Sequence, residues 1–172
     1  MEIKKLVLGP LENNCYIIKK DKNCLVVDPA CEFKLIKENL DGLNVEGILV
    51  THYHYDHIGA LGDLVNYSSA KVYDFEMKGK VKTPTFTFEI LDTKGHKDDC
   101  VSFKFDDFIM TGDFLFKGSI GRTDLEGASV EDMRKSLNLF KSYNKDYKIY
   151  PGHGDETTLK FEKENNYFMK NL

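Results

Sequence analysis

Short apolar runs rich in β-branched residues alternate with polar turn residues at the start of the chain. They predict strands over Ile3 to Leu8, Cys15 to Ile18 and Cys24 to Val27, separated by the turn residues Gly9-Pro10 and Asp21-Lys22-Asn23. The period then changes. Phe33, Ile36 and Leu40 recur at helical spacing, and Asp41-Gly42 closes that segment. Gly47 to Val50 reads as a buried strand ending at Thr51-His52, and Gly59 to Tyr67 as a helix with Leu61, Leu64 and Val65 on one face. Strands return over Lys71 to Phe75, Thr85 to Leu91, Cys100 to Phe105 and Phe108 to Met110, with Asp106-Asp107 as a hairpin turn between the last two. A helix follows from Ser129, with Val130, Met133, Leu137 and Phe140 on one face. Ser129 and Asp132 have the spacing of a capping box. Tyr147 to Tyr150 is the final strand and Thr157 to Met169 the final helix.

Strand runs at both ends, interrupted by helices and free of repeats or linkers, predict an α/β sandwich spanning 1–172 as one domain. The length of 172 residues suffices for a substantial core. Hydrophobic residues make up 41% and charged residues 30%, which is ordinary for a soluble globular chain. A net charge of −4 leaves no basic footprint, so neither nucleic acid nor an anionic membrane is an expected partner. No apolar run reaches membrane-spanning length and no signal-peptide pattern opens the chain, so a cytoplasmic location is expected. Cys15, Cys24, Cys31 and Cys100 lack zinc-finger spacing, and Cys15 and Cys24 lie within apolar runs as buried small hydrophobes do.

The chemistry concentrates in THYHYDHIGA, residues 51 to 60. His52, His54, Asp56 and His57 fall there, and three of the five histidines of the chain crowd into six positions. On extended backbone, residues two apart point the same way, so His52 and His54 can share one metal. Asp56 and His57 sit where the chain turns towards the next helix and can face a second. His96, Asp113 and His153 each follow an apolar strand and a glycine that lets the backbone turn sharply. Loops at one end of a rigid sheet are where sites are built.

Each of these three alone has an ordinary reading as a surface or turn residue. Beside the HxHxDH cluster they gain weight, because no histidine is left over. Seven imidazole and carboxylate candidates exceed the needs of one tetrahedral ion. Two ions sharing a carboxylate and a water account for the number. The donors suit two zinc ions, and are also compatible with iron or manganese.

These residues resemble the metallo-β-lactamase superfamily, in particular its hydroxyacylglutathione hydrolase (glyoxalase II)-like branch. The resemblance is carried by LVVDPA at 25 to 30, THYHYDHIGA at 51 to 60, GH at 95 to 96, TGD at 111 to 113, GSIGRTDL at 118 to 125 and PGHG at 151 to 154. GSIGRTDL is the segment that points to this branch. The resemblance implies a four-layer αββα sandwich of two mixed sheets. It implies that His52, His54 and His96 bind one metal, that Asp56, His57 and His153 bind the other, and that Asp113 bridges them. Asp28 is then expected behind the site. For Arg122 and Asp124, loop ordering and substrate contact both remain open.

The implied activity is a metallo-hydrolase in which a hydroxide shared by the two ions attacks a thioester or related small-molecule ester, with Asp56 orienting it. A mononuclear-iron persulfide dioxygenase of the same superfamily, using His52, His96 and Asp113, is the alternative. A superfamily ribonuclease fits poorly with the acidic charge, and a non-catalytic scaffold would not require all seven ligands. The chain also departs from the pattern of the family. TKGHKDDC replaces the more usual proline before Gly-His and serine at the position of Cys100. Only 38 residues separate His57 from His96, so an open site is expected. Only 18 residues follow Gly154, so the helical C-terminal domain that holds glutathione in glyoxalase II enzymes is not expected.

Overall fold

The computed structural model describes residues 1–172. The first half of the chain forms β1 (Glu2–Leu8), β2 (Asn13–Lys20), β3 (Asn23–Val27), α1 (Phe33–Asn39), β4 (Asn44–Leu49), α2 (Tyr55–Ile58), α3 (Leu61–Ser68) and β5 (Val72–Tyr73). The second half continues with β6 (Gly79–Lys82), β7 (Thr87–Asp92), β8 (Val101–Lys104), β9 (Phe108–Gly112), β10 (Leu115–Phe116) and β11 (Ser119–Ile120). It ends with α4 (Val130–Ser142), β12 (Lys148–Pro151), β13 (Thr157–Thr158), α5 (Leu159–Asn165) and α6 (Tyr167–Asn171). One sheet has the order β1-β2-β3-β4-β5 and the other β13-β12-β9-β8-β7-β6, while β10 and β11 pair as a small hairpin. Both large sheets are mixed: β3–β4, β4–β5 and β9–β12 are parallel and the remaining pairs antiparallel.

Strand alternation builds the layers. Tyr16, Ile18, Leu25, Val27 and Leu49 point inward from the first sheet and meet Phe88, Phe103, Phe108, Met110 and Tyr150 of the second. The alternate residues Cys15, Ile17, Cys24, Val26 and Ile48 face outward onto Ile36, Leu40 and Leu64 of the α1–α3 region. On the far side, Ile109 and Ile149 pack against Met133, Leu137 and Phe140 of α4 and Leu159 of α5. Helix, sheet, sheet and helix are therefore stacked in four layers, as expected.

Several elements differ from the sequence expectation. The strand Gly79–Lys82 is too polar, and the β10–β11 hairpin too short, to show a period in the sequence. The helix expected over Gly59 to Tyr67 starts earlier, as α2, and breaks before α3 resumes at Leu61. The helix expected over Thr157 to Met169 divides at Asn166, whose side chain accepts hydrogen bonds from the N–H groups of Phe168 and Met169 and caps α6. The capping box of α4 is half formed. Ser129 accepts from the Asp132 N–H, but its own N–H donates to the Gly95 carbonyl and ties α4 to the His96 loop.

Candidate metal centre

The residues of the site follow the C-terminal ends of strands that run in one direction within each sheet. Asp28 follows β3, His52 and His54 follow β4, His96 follows β7, Asp113 follows β9 and His153 follows β12. Open α/β sheets place their ligands at such strand ends. Backbone hydrogen bonds join the two sheets here: Val101 N–H donates to the Thr51 carbonyl at 2.9 Å and Asn14 N–H to the Gly152 carbonyl at 2.7 Å.

Three ring nitrogens converge on one side. Nδ1 of His54 lies 2.9 Å from Nε2 of His52 and 3.0 Å from Nε2 of His96. Neither neighbour has a proton to give, because each spends its N–H on an outer acceptor. His96 Nδ1 donates to the Arg122 carbonyl at 2.9 Å. His52 Nδ1 lies 3.1 Å from Thr51 Oγ1, whose own proton goes to Asp28 Oδ2 at 2.7 Å, so the imidazole is the donor. The separations are close to the roughly 3.3 Å between donors of a tetrahedral ion with bonds of about 2.0–2.1 Å.

The second group is Asp56, His57 and His153. His57 is fully buried, and its Nδ1 donates to Asp28 Oδ2 at 2.9 Å. His153 Nδ1 donates to the Leu11 carbonyl at 3.0 Å. Their Nε2 atoms turn towards carboxylates: His153 is 3.3 Å from Asp56 Oδ2, and His57 is 3.7 Å from the same oxygen. Asp113 stands between the groups. Its Oδ1 is 3.3 Å from His57 Nε2, and its Oδ2 is 3.5 Å from His153 and 3.7 Å from His96. The structure thus brings together all seven residues singled out from the sequence, and their donor atoms fall into three overlapping groups: His52, His54 and His96; His52, His57 and Asp113; and Asp56, His57 and His153.

Two buried atoms bear on the fit to metal ions. His57 Nε2 and Asp113 Oδ1 lie 3.3 Å apart as an ion pair without a well-formed hydrogen bond to any partner, so both are available to a cation once His57 gives up its proton. A shared cation satisfies both, and the fit is good. Without metal, burial disfavours the His57 cation, but the Asp28 and Asp113 carboxylates outweigh it and push its pKa up to about 10. The same contest, with Asp113 and Asp56, pushes His153 up to about 10. Burial and the His57 charge hold His52 well below the usual imidazole range, and burial with His96 lowers His54. Asp113 is held well below the carboxylate range, since His153 and His57 overcome the effect of its burial.

Glycine shapes two of the ligand loops through φ, but not the third. Gly95 has φ +144 and Gly112 φ +50, whereas Gly152 has no positive φ. A Cβ on Gly152 would instead strike Asp113 Oδ1 and His57 Cε1. Arg122 and Asp124 pair with each other at the surface, at 2.7 and 2.8 Å, so the side of loop ordering is favoured. Cys100 is buried and burial pushes its thiol up, which removes it as a nucleophile. Sequence reasoning missed Thr51, which relays Asp28 to His52, and the carbonyls of Leu11 and Arg122. It also missed Asp99 and Asp74, which accept from the Tyr53 N–H at 3.2 Å and the Tyr53 hydroxyl at 2.6 Å and hold the HxHxDH segment.

The metallo-beta-lactamase superfamily model matches residues 8–85. A Bacillus subtilis protein named "Probable metallo-hydrolase YqgX" is 31% identical across 98% of this chain and 98% of its own length. The chain belongs to the metallo-beta-lactamase superfamily. Within the superfamily it is 28% identical to the hydroxyacylglutathione hydrolase GloC of Haemophilus influenzae, over 98% of both chains. A Bacillus velezensis protein named "Probable polyketide biosynthesis zinc-dependent hydrolase BaeB" is 31% identical over 91% of this chain and 82% of its own. Among solved structures of the superfamily, the B3 metallo-beta-lactamase BLEG-1 aligns with a TM-score of 0.91 and 26% identity, covering 99% of this chain and 100% of its own. TTHA1623, solved in a di-iron-bound form, aligns with a TM-score of 0.83 and 30% identity over 96% and 99% of the chains.

Proposed function

We propose that the protein is a dinuclear metallo-hydrolase, most compatible with zinc, that cleaves a thioester or related small ester. One observation carries this reading. The donors form three overlapping groups, with His52, His57 and Asp113 between the other two, and the buried His57 Nε2 and Asp113 Oδ1 of that middle group lack a well-formed hydrogen bond. His52, His54 and His96 would hold one metal, Asp56, His57 and His153 the other, and Asp113 both. The ions supply, when bound, polarisation of the carbonyl and a water acidic enough to attack near neutral pH.

The residues of the chain do the rest. Asp28, Thr51 and the Arg122 and Leu11 carbonyls fix four imidazoles in the tautomer that turns Nε2 inward. Asp56, on the more exposed side of the centre, orients the attacking water and steadies its proton. The relatives named as hydroxyacylglutathione hydrolase and zinc-dependent hydrolase support the substrate class and the metal, and the di-iron form of TTHA1623 supports two ions.

The mononuclear-iron alternative would leave His54, Asp56, His57 and His153 idle, although their donor atoms point into the same centre. Metal analysis of protein purified without added metal, paired with a thioester hydrolysis assay, tests the reading. About two metals per chain with hydrolysis is the expected result. One iron per chain with oxygen uptake on glutathione persulfide would overturn it.

A further inference from the structure

Two asparagines open β2, and only one of them is paired. Asn14 donates its side-chain amide to the Pro151 carbonyl at 3.0 Å and the Gly154 carbonyl at 2.9 Å, and so clamps the PGHG loop. Asn13 points to the opposite face of the strand, as successive residues do. It is 1% exposed, and neither its Oδ1 nor its Nδ2 has a hydrogen-bond partner. No other buried side chain is unpartnered at two polar atoms. A buried carboxamide costs free energy unless its donors and acceptor are met. A small apolar residue at this position would avoid that cost.

The strand register fixes what the group faces. Asn13 and His153 form an isolated antiparallel bridge. Asn14 N–H donates to the Gly152 carbonyl at 2.7 Å, so the flanking residues carry the hydrogen bond and Asn13 and His153 are a non-hydrogen-bonded pair. Such residues stand directly opposite each other, with side chains on one face and Cβ atoms about 4.5–5.5 Å apart. The His153 ring lies on that face, with Nδ1 on the Leu11 carbonyl and Nε2 3.3 Å from Asp56 Oδ2. Helix α2, which carries Asp56 and His57, packs against β2. The unpaired amide therefore flanks the His153 and Asp56 side of the centre.

We propose that Asn13 is a positioning residue for the Asp56, His57 and His153 metal group: its carboxamide is unpaired while the group is empty and paired when the group is filled. In the empty centre the Asp56 carboxylate is turned to His153 and His57. On loading, these side chains turn onto the ion, and the free amide beside them holds the new position. Filling the group removes a cost that the empty protein carries. Given the two-metal reading, on which this rests, the gain appears as affinity for one of the two ions.

Asn13→Leu, similar in size and without polar atoms, tests the assignment. Zinc titration followed by native mass spectrometry counts the first and second ions separately. One of the two affinities is expected to fall about tenfold, the lower end of what residues behind metal ligands contribute, while the other holds. Thermal unfolding is measured alongside. The empty variant is expected to match the parent or to exceed it by about 2–4 °C, since the unpaired group is gone, while the rise in Tm on adding zinc shrinks. In a His153→Ala background the same substitution is expected to change metal binding no further. Asn13→Ala gives the same affinity test should the leucine variant fail to fold. Unchanged affinity for both ions, equal lowering of Tm in the empty and loaded forms, or an undiminished loss in the His153→Ala background overturns the role of Asn13 and leaves the two-metal reading standing. A parent chain that takes one ion or none overturns that reading, and the role of Asn13 with it.

Discussion

Asp28 Oδ2 accepts the Nδ1–H of His57 at 2.9 Å, on the side of the ring opposite the nitrogen that faces Asp113. The same carboxylate also takes the Thr51 N–H at 2.8 Å and the Thr51 hydroxyl at 2.7 Å. One buried acid therefore sets the tautomer of His57 directly and that of His52 through Thr51. Groups in this outer position typically matter 10–100-fold for metal affinity.

Asp28→Asn isolates that role. Asp28 has φ +47, a conformation asparagine also tolerates, so the backbone is kept while the charge is lost. We expect the folded protein to persist and metal affinity to fall about 10–100-fold, most at the His57 side. Metal titration followed by mass spectrometry checks this, and unchanged affinity at both positions would contradict it.

Gly152 tests steric control of the same centre. A Cβ there collides with Asp113 and His57, and neither can retreat without leaving the ligand set. Gly152→Ala is expected to lose bound metal and to cost about 1–3 kcal/mol by overpacking. Gly62→Ala is the control. It lies in α3 with open space around its Cβ position, and it should leave metal content alone while gaining up to about 1 kcal/mol. Thermal unfolding and metal analysis of both variants decide the matter.

The legible part of this protein was the part in which side-chain identity is the chemistry. His52, His54, Asp56 and His57 announce themselves because imidazoles and carboxylates at that spacing have little other use. The layers were legible where alternation is strict, as in β2, whose successive residues go to opposite faces. The Leu11 and Arg122 carbonyls were not, because a backbone acceptor can belong to any residue and only tertiary proximity selects it. His153 and Leu11 are 142 positions apart. The split of the last helix was hidden for a similar reason: Asn166 is an unremarkable polar residue until its burial is known.

Glu162 belongs to that hidden class and predicts a stability effect. It is fully buried and accepts from the Gly118 N–H at 2.9 Å, the Thr157 hydroxyl at 2.6 Å and the Asn166 amide at 2.8 Å. Asn166 in turn donates to the Ser119 carbonyl at 3.0 Å, so α5 fastens the start of GSIGRTDL. Glu162→Ala leaves three donors without their acceptor, at about 1–3 kcal/mol for a lost partner, partly relieved by entering water. We expect a loss of about 3 kcal/mol in denaturant unfolding. A loss below about 1 kcal/mol would show that the network is dispensable.

The protons of the centre give the last prediction. In the metal-free protein His57 and His153 are both pushed up to about 10, so both are charged at neutral pH and must release protons to bind metal. His52 and His54 are shifted down and are already neutral there. The group containing His52 and His54 should therefore fill at lower pH, and the His57–His153 group should follow as pH rises. Stability of the metal-free chain runs the opposite way. A raised folded-state pKa stabilises fully below the unfolded value of about 6.5, and that contribution is lost as pH climbs through about 10. Metal binding thus strengthens over the window in which the empty protein weakens. The rise in Tm on adding zinc should grow from pH 6.5 towards 9, with proton release detectable by calorimetry in buffers of different ionisation enthalpy. A pH-independent Tm increment without proton release would mean that these histidines are neutral before the metal arrives.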